Sequence, residues 1–275
     1  MCVSVTLIDT HCHLDADVFD VDREQVLQQS QAAGVGIIVI PAVMPSNFTK
    51  VAALSKQYAQ CCYALGIHPM FIDDVSPSDI ARLNASVTEA LTTDNQLVAI
   101  GEIGLDFFTT KQNRETQEYF FCEQLKVAQT HDLPVILHVR NAIDDVLKHL
   151  RQVKVKGGIA HAFNGSLQQA ETFIKLGFKL GFGGAMTYPR ALKIRALAKN
   201  LPLDAIVLET DAPDMPPAWL EKKERNTPES ILKIAETLAA LRRIPVSQII
   251  EITHKNVEEV LPKIAHLYTP VQALH

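Results

Sequence analysis

The sequence lacks any long uninterrupted run of apolar residues. Its longest apolar stretch, residues 34–43, is far shorter than the ~20 residues that a membrane-spanning helix requires. The first residues also lack the basic segment and apolar core that are typical of a secretory signal peptide. We therefore predict neither a membrane anchor nor a signal peptide.

Cysteine is scarce, and an excess of positive charge is missing. The five cysteines form no CxxC pair and no spacing typical of a small disulfide-bonded domain, which predicts a reduced, cytoplasmic protein. The net charge of -5 argues against a nucleic-acid coat or architectural protein, because such proteins are usually basic. An enzyme that holds an anionic substrate through metal ions needs no such excess.

Short apolar runs recur along the chain, and an amphipathic helical pattern usually follows each one. Continuous apolar runs of this kind are typical of parallel strands that are buried on both faces. We predict eight strands, at residues 7–8, 36–40, 63–65, 97–100, 135–137, 158–160, 179–182 and 205–208. Between the sixth and seventh, Ser166 and Gln169 form a capping-box pattern, and Gly177 ends the predicted helix.

Eight strand–helix units predict an α/β protein with a (β/α)₈ barrel, or TIM barrel. The main alternative is a doubly wound sheet, which often has a glycine-rich phosphate-binding turn after its first strand. Here the first strand leads into Thr-His-Cys-His instead. Although 275 residues would be enough for two domains, α/β barrels of roughly 250 residues are common as one domain. We predict one barrel domain over residues 1–275.

Metal-binding and titratable side chains fall at the predicted ends of six of these strands. In barrels, the loops after the strands converge on one mouth, where the chemistry takes place. We expect this mouth to hold His11, His13, His68, Glu102, His138, His161 and Asp211.

The pair His11 and His13 indicates one half of a metal site. Successive side chains on a strand alternate between its faces, so both imidazoles point the same way and can converge on one ion. Two solvent-exposed histidines at a strand end are the alternative interpretation.

The remaining residues at the predicted strand ends indicate the other half of the metal site. Glu102 can place one oxygen on each of two cations, although it could instead pair with a basic residue. His138 and His161 are assigned to the second metal, with hydrogen-bonded core histidines as the alternative. Asp211 can contact a metal with one oxygen and accept a proton from water with the other, although such a residue can also form a turn.

Several other residues are not assigned as metal ligands. Asp106 is read as a partner of the site, a substrate contact or a turn residue, and Glu209 as structural or as a supporting residue behind the ligands. Trp219 is interpreted as packing within its loop, with stacking on a base as the alternative. Solvent exposure or a helix end explains the remaining histidines, which are His131, His149, His254, His266 and His275.

Several motifs, in order, resemble the TatD family of metal-dependent hydrolases and deoxyribonucleases, within the amidohydrolase-like barrels. They are Ile8-Asp-Thr-His-Cys-His-Leu, Ala64-Leu-Gly-Ile-His-Pro, Gly101-Glu-Ile-Gly-Leu-Asp, Leu133-Pro-Val-Ile-Leu-His and Leu208-Glu-Thr-Asp-Ala-Pro. The resemblance extends over about residues 7–260. Within the family, the segments that begin at Gly165 and Glu209 are most similar to the YjjV-like branch.

The resemblance implies two divalent cations, which we take to be Zn²⁺, Mn²⁺ or Mg²⁺. By it, His11 and His13 bind one ion, His138 and His161 bind the other, and Glu102 bridges them. Asp211 matches the family's carboxylate at the eighth strand. His68 matches a histidine that can contact a substrate phosphate.

Two positions depart from the family pattern. Val139 and Asn164 stand where the family commonly has serine. Both changes spare the metal ligands, so they bear on the identity of the substrate.

The predicted activity is hydrolysis of phosphodiesters, with DNA as the substrate, in an exonuclease-like reaction (EC 3.1.-.-). Asp211 would act as the base, while His68, Arg140 and Arg225 would bind phosphate oxygens. The alternatives are hydrolysis of carboxylic esters or amides by the same site, for example deacylation of an aminoacyl ester, and a non-catalytic scaffold. Glu102 replaces the carboxylated lysine of many ester and amide hydrolases. We expect a cytoplasmic monomer without a stable protein partner.

Overall fold

In the described part of the chain, eight parallel strands form one sheet in the order of the sequence. The computed structural model describes residues 5–108, 113–221 and 224–267. Each strand pairs with the next one along the chain. The strands are β1 (Leu7–Asp9), β2 (Val35–Pro41), β3 (Cys61–Leu65), β4 (Leu97–Asp106), β5 (Val135–Arg140), β6 (Gly158–Ala160), β7 (Phe178–Phe182) and β8 (Ile206–Leu208).

Helices connect the strands and surround the sheet, which confirms the predicted (β/α)₈ barrel. They are α1 (Arg23–Ala32), α2 (Phe48–Gln57), α3 (Ser78–Thr93), α4 (Arg114–Thr130), α5 (Ile143–Gln152), α6 (Leu167–Lys175), α7 (Leu192–Asn200), α8 (Ile231–Arg242) and α9 (Val246–Val260). Within the described part of the chain, no helix combines the length and apolar character needed to span a membrane.

The first and last strands meet through a few backbone hydrogen bonds. The amide of Thr10 donates to the carbonyl of Leu208 at 3.1 Å, and the amide of His13 donates to that of Ala212 at 2.7 Å. Because these bonds lie at and beyond the ends of β1 and β8, they bring the segments that follow the two strands together. His11 and Asp211 belong to those segments.

Two groups of apolar side chains form the core. Along β2, Ile37 and Val39 belong to an inner group, while Ile38 and Ile40 belong to an outer group that packs against the helices. This alternation follows from the two faces of a strand. The end of α9 joins the inner group, and its His254 contacts the carbonyl of Thr6 beside the start of β1. Helix α9 therefore closes the amino-terminal end of the barrel and leaves the other end for the polar residues.

Strand β4 is longer than the sequence predicts. The predicted strand ended at residue 100, but all residues of Leu97–Asp106 are buried and in the strand. A register shift follows Ile100, and pairing with β5 resumes at Ile103. Glu102 therefore lies inside β4 and His138 inside β5, rather than beyond the ends of these strands. The two glycines in the Gly-Glu-Ile-Gly segment are typical of a turn, so the sequence pattern predicts that the strand ends before them.

Candidate metal centre

His11, His13 and Glu102 form one compact group of donor atoms. The Nε2 atoms of the two histidines lie 3.3 Å apart. Oε2 of Glu102 lies 3.3 Å from Nε2 of His11 and 3.6 Å from Nε2 of His13. The side chain of His11 is fully buried, whereas that of His13 is partly exposed. The imidazoles of His11 and His13 thus lie on the same side of this segment, next to one carboxylate oxygen.

The other oxygen of Glu102 faces a different set of imidazoles. Oε1 lies 3.0 Å from Nδ1 of His138, 3.5 Å from Nε2 of His68 and 4.0 Å from Nε2 of His161. One carboxylate thus stands between two sets of ring nitrogens. This is the arrangement that a bridging ligand between two cations requires.

Asp211 completes the cluster from the segment after β8. Its Oδ1 lies 3.6 Å from Nε2 of His11 and 3.7 Å from Nε2 of His13. Its Oδ2 lies 3.8 Å from Nε2 of His161. The side chain is 15% exposed, so it can be reached from the cavity described below. Asp211 therefore contacts both halves of the cluster and solvent.

These donors fit divalent cations. Three overlapping triads each place three ligand atoms within 4.8 Å of one another, and they are His11–His13–Glu102, His11–His161–Asp211 and His68–Glu102–His138. Imidazole nitrogen with carboxylate oxygen suits Zn²⁺ and Mn²⁺. The Nε2 atoms of His11 and His13, together with Oε2 of Glu102, all lie within 3.6 Å of each other. They therefore converge on a single point.

The imidazoles of the cluster favour the ionised form of Glu102. Burial alone raises the pKa of Glu102, but the imidazoles of His11 and His68 hold that pKa well below its usual range. Burial alone lowers the pKa of His161, but the carboxylates of Glu209 and Asp211 raise it to about 10. Each buried charge is thus compensated by a neighbour of opposite sign, which burial requires.

One ring nitrogen of His68 accepts a hydrogen bond from the backbone. Its Nδ1 accepts a hydrogen bond from the amide of Met70 at 3.1 Å, and burial lowers the pKa of the ring. A neutral ring that accepts at Nδ1 carries its proton at Nε2. His68 thus presents a hydrogen-bond donor to Glu102 and to the cavity.

The carboxylates of Asp106 and Glu209 each lie next to a ring nitrogen of one proposed ligand. Oδ2 of Asp106 lies 3.0 Å from Nε2 of His138, and Oε1 of Glu209 lies 3.1 Å from Nδ1 of His161. Both carboxylates are almost completely buried. The sequence left several interpretations open for both residues, because it does not show which histidine each one meets.

Asp9 was not identified from the sequence. It is fully buried in β1, and it accepts hydrogen bonds from the amide and the hydroxyl of Thr210 at 2.9 and 2.5 Å. Burial raises its pKa to about 7. Asp9 thus joins the strand that precedes His11 to the segment that precedes Asp211. An acidic residue inside an apolar strand was the signal for this role.

The cluster lies at the bottom of a cavity of about 1070 Å³. Glu102, His138, His161 and Asp211 contribute to its wall, together with residues from the starts of α5 and α7. Lys193 is one of these, and its ammonium group donates to the carbonyl of Asn164 at 2.9 Å. The sequence gave no signal for Lys193, because its place depends on how α7 packs.

The two predicted substrate arginines have different surroundings. Arg140 lines the cavity, and its guanidinium carbon lies 3.5 Å from the centre of the Phe108 ring. Arg225 does not line this cavity, and it forms hydrogen bonds of 3.0 and 2.6 Å to the carboxylate of Asp22. The structure therefore brings Arg140 to the site but not Arg225. Substrate binding by Arg225 would require breaking the pair with Asp22.

Two histidines that the sequence predicts to be solvent-exposed are buried. His149 lies 3.2 Å from Glu118 through its Nε2, and His254 bonds to the backbone of Thr6 at 2.9 Å. Each ring packs where its helix meets another element, which helical position alone does not reveal. His266 is exposed, as expected. His275 lies outside the described residues.

Comparison with known proteins identifies the family. The model of the family described as TatD related DNase matches residues 8–262. The uncharacterized metal-dependent hydrolase YjjV of Escherichia coli K12 is 43% identical over 243 residues, which cover 88% of this chain and 92% of YjjV. The chain therefore belongs to the TatD family, and the predicted similarity to YjjV is confirmed.

Three further comparisons concern function and fold. The human deoxyribonuclease TATDN3 is 32% identical over 96% of this chain and 97% of its own length. The crystal structure of Escherichia coli YjjV superimposes with a TM-score of 0.89, at 40% identity, over 93% of this chain and 98% of that one. An organophosphorus hydrolase from Deinococcus radiodurans, at 13% identity and a TM-score of 0.63, shares the fold alone. The chain is a metal-dependent hydrolase with an amidohydrolase-like barrel.

Proposed function

We propose that the protein hydrolyses phosphodiester bonds of DNA with two divalent cations and Asp211 as the base, in an exonuclease-like reaction. The observation that carries this proposal is the position of Glu102, whose two oxygens face two sets of imidazoles at the bottom of a cavity. The similarity to the deoxyribonuclease TATDN3 supports DNA as the substrate.

We assign the proposed ligands to two sets. His11 and His13 would hold one cation, His138 and His161 would hold the other, and Glu102 would bridge them. Asp211 contacts both halves and would bind through one oxygen. When bound, such cations activate water and neutralise charge on the phosphoryl oxygens.

Asp211 is the proposed proton acceptor. It is the most exposed carboxylate of the cluster at 15%, against 2% for Glu102. Both of its oxygens lie beside imidazoles of the cluster, and the side chain is also exposed to the cavity. One oxygen would therefore bind a cation while the other orients a water molecule and takes its proton. Glu102 also lines the cavity, but its side chain is only 2% exposed.

Substrate oxygens would meet donors on the cavity wall. His68 presents its Nε2 proton, and Arg140 presents a planar fork of N–H donors that matches phosphate. Lys193 adds a second positive charge on the wall. These three groups would bind the reacting phosphate and its neighbour.

The acidic residues of the wall favour the alternative substrate class. Asp144 and Asp145 line the same cavity. A cationic amine next to the reacting bond, as in an aminoacyl ester, would be attracted to them, whereas a long polyanion would be repelled. Val139 and Asn164, at the positions that depart from the family pattern, lie in this wall as well.

One experiment separates the two classes. Metal-reconstituted protein is incubated with single-stranded DNA, bis(p-nitrophenyl) phosphate, p-nitrophenyl acetate and an aminoacyl ester, each with and without EDTA. We expect chelator-sensitive release of nucleotides from DNA, with slower or no cleavage of the acyl esters. Chelator-sensitive cleavage confined to the acyl esters would reject the phosphodiesterase proposal in favour of the alternative.

A further inference from the structure

His138 and His161 turn different ring nitrogens toward Glu102. For His138 this atom is Nδ1, at 3.0 Å, and for His161 it is Nε2, at 4.0 Å. The opposite nitrogens face buried carboxylates. Nε2 of His138 lies 3.0 Å from Asp106, and Nδ1 of His161 lies 3.1 Å from Glu209.

The two rings lie at neighbouring positions of the sheet. β5 and β6 pair in parallel, and Leu137 and Ala160 are partners in the register. His138 and His161 each follow one of these two partners directly. His138 lies within β5, whereas His161 directly follows the end of β6. In each ring, the nitrogen that is turned away from Glu102 faces a buried carboxylate, and we take this contact to fix the ring orientation.

An ionised carboxylate accepts hydrogen bonds only, so it fixes a proton on the ring nitrogen that faces it. The other nitrogen of a neutral imidazole then offers its lone pair to a metal. We propose that Asp106 and Glu209 are positioning residues, through which His138 becomes an Nδ1 ligand and His161 an Nε2 ligand. This proposal rests on the proposed function only in that the cluster binds divalent cations.

The carboxylate of Glu209 occupies a space beside Gly181 that a side chain at residue 181 would fill. Its Oε1 accepts from the amide of Ala162 at 2.6 Å in addition to facing His161. A Cβ atom placed on Gly181 would lie 2.2 Å from Oε2 of Glu209. The missing side chain at residue 181 therefore provides the space that the carboxylate occupies.

Asp106 is held differently. Its Oδ1 accepts from the amide of Phe108 at 2.9 Å, and only Oδ2 faces His138. Gln117 fixes the backbone of Asp106, since its side-chain amide donates to the carbonyl and accepts from the N–H, at 2.9 and 2.8 Å. The two oxygens of Asp106 thus have separate partners, whereas one oxygen of Glu209 serves both of its partners.

This difference predicts unequal effects of two nearly isosteric substitutions. In Glu209→Gln, the amide oxygen can still accept from both Ala162 and His161, so the ring keeps its orientation and loses only the neighbouring charge. In Asp106→Asn, the amide oxygen is required by Phe108, so the NH₂ group faces Nε2 of His138. That nitrogen must then accept, the ring proton moves to Nδ1, and the lone pair for the metal is lost.

Zinc affinity and the ¹⁵N chemical shifts of the histidine rings test the proposal. Affinity is measured by competition with a chromogenic chelator, and the shifts are measured on the zinc-loaded protein. Loss of such supporting partners typically weakens metal binding by about 10- to 100-fold. We expect about 10-fold for Glu209→Gln and about 100-fold for Asp106→Asn. The native spectrum should show His138 protonated at Nε2 and His161 at Nδ1.

Two further variants make the test specific. Gly181→Ala should displace the carboxylate of Glu209 and weaken zinc binding more than Glu209→Gln does, without changing any polar residue. Glu118→Gln removes the carboxylate that faces His149 at 3.2 Å, a similar pair outside the cavity wall, and should leave zinc affinity unchanged.

Native zinc affinity in both Asp106→Asn and Glu209→Gln would overturn the proposal, and so would a native spectrum with the proton of His138 on Nδ1. These measurements involve no substrate. A protein that gave the expected zinc affinities and spectra but cleaved no phosphodiester would refute the proposed function and leave the positioning roles intact.

Discussion

Asp211 combines a strained backbone with a central position in the cluster. Its φ of 57° lies in the left-handed region, which aspartate tolerates better than most residues other than glycine and asparagine. Its amide donates to the carbonyl of His11 at 2.8 Å. The same hydrogen bond that joins the segments after β1 and β8 thus fixes the carboxylate beside His11.

The proposed base is tested by Asp211→Asn. The amide keeps the size and the backbone preference of the residue but cannot accept a proton at ordinary pH. Because general base catalysis typically contributes about 10²- to 10⁴-fold, we expect kcat to fall by at least about 10²-fold. Measurement of kcat, with metal content by mass spectrometry, checks this outcome.

Asp132→Asn is the matched control for that substitution. Asp132 has a φ of 55° and forms its ion pair with Lys156 on the surface, so the same chemical change occurs in the same backbone conformation away from the cavity. It should leave kcat within a few-fold of the native value. An Asp211→Asn protein that binds metal and turns over at the native rate would remove Asp211 from the mechanism.

The sequence reveals residue positions where a short-range rule applies. The alternation of side chains in an extended segment places His11 and His13 on one side of the chain, and this rule needs no knowledge of the rest of the fold. Arg225 shows the limit of such rules, because its pairing with Asp22 joins residues that are far apart in the sequence. Lys193 was not predicted at the site but lines the cavity, because the packing of α7 brings it there.

At the scale of elements, local signals predicted α6 more accurately than β4. Ser166 and Gln169 form the predicted capping box, with N···O distances of 3.1 and 2.9 Å between the backbone of one residue and the side chain of the other. This signal is contained in four consecutive residues. The extension of β4 beyond Ile100 depends on pairing with β5, which no local pattern encodes.

The capping box gives a prediction for stability. Ser166→Ala leaves the amide of Gln169 without its acceptor, so the free energy of unfolding should fall by about 1 kcal/mol. Urea denaturation measures this change. Ser166→Asp retains an acceptor and should stay close to the native value. An alanine variant as stable as the native protein would show that this cap contributes nothing.

For the whole molecule, the barrel separates stability from chemistry. Helix α9 and the inner apolar group close one end, whereas the polar cluster and its cavity occupy the other, which is the usual division in such barrels. The buried carboxylate and imidazoles of the cluster contribute little apolar packing. Because the cluster is assembled only in the folded protein, cations that bind it should stabilise the fold by mass action. The expected monomeric state and cytoplasmic location stay predictions.

The account depends most on the claim that the cluster holds two divalent cations around Glu102. Calorimetric titration of the metal-free protein with Zn²⁺ or Mn²⁺ tests this claim directly. We predict two ions per chain for the native protein, and at most one retained ion for Glu102→Ala. A native protein that binds no ion, or a Glu102→Ala protein that still binds two with native affinity, would contradict the account.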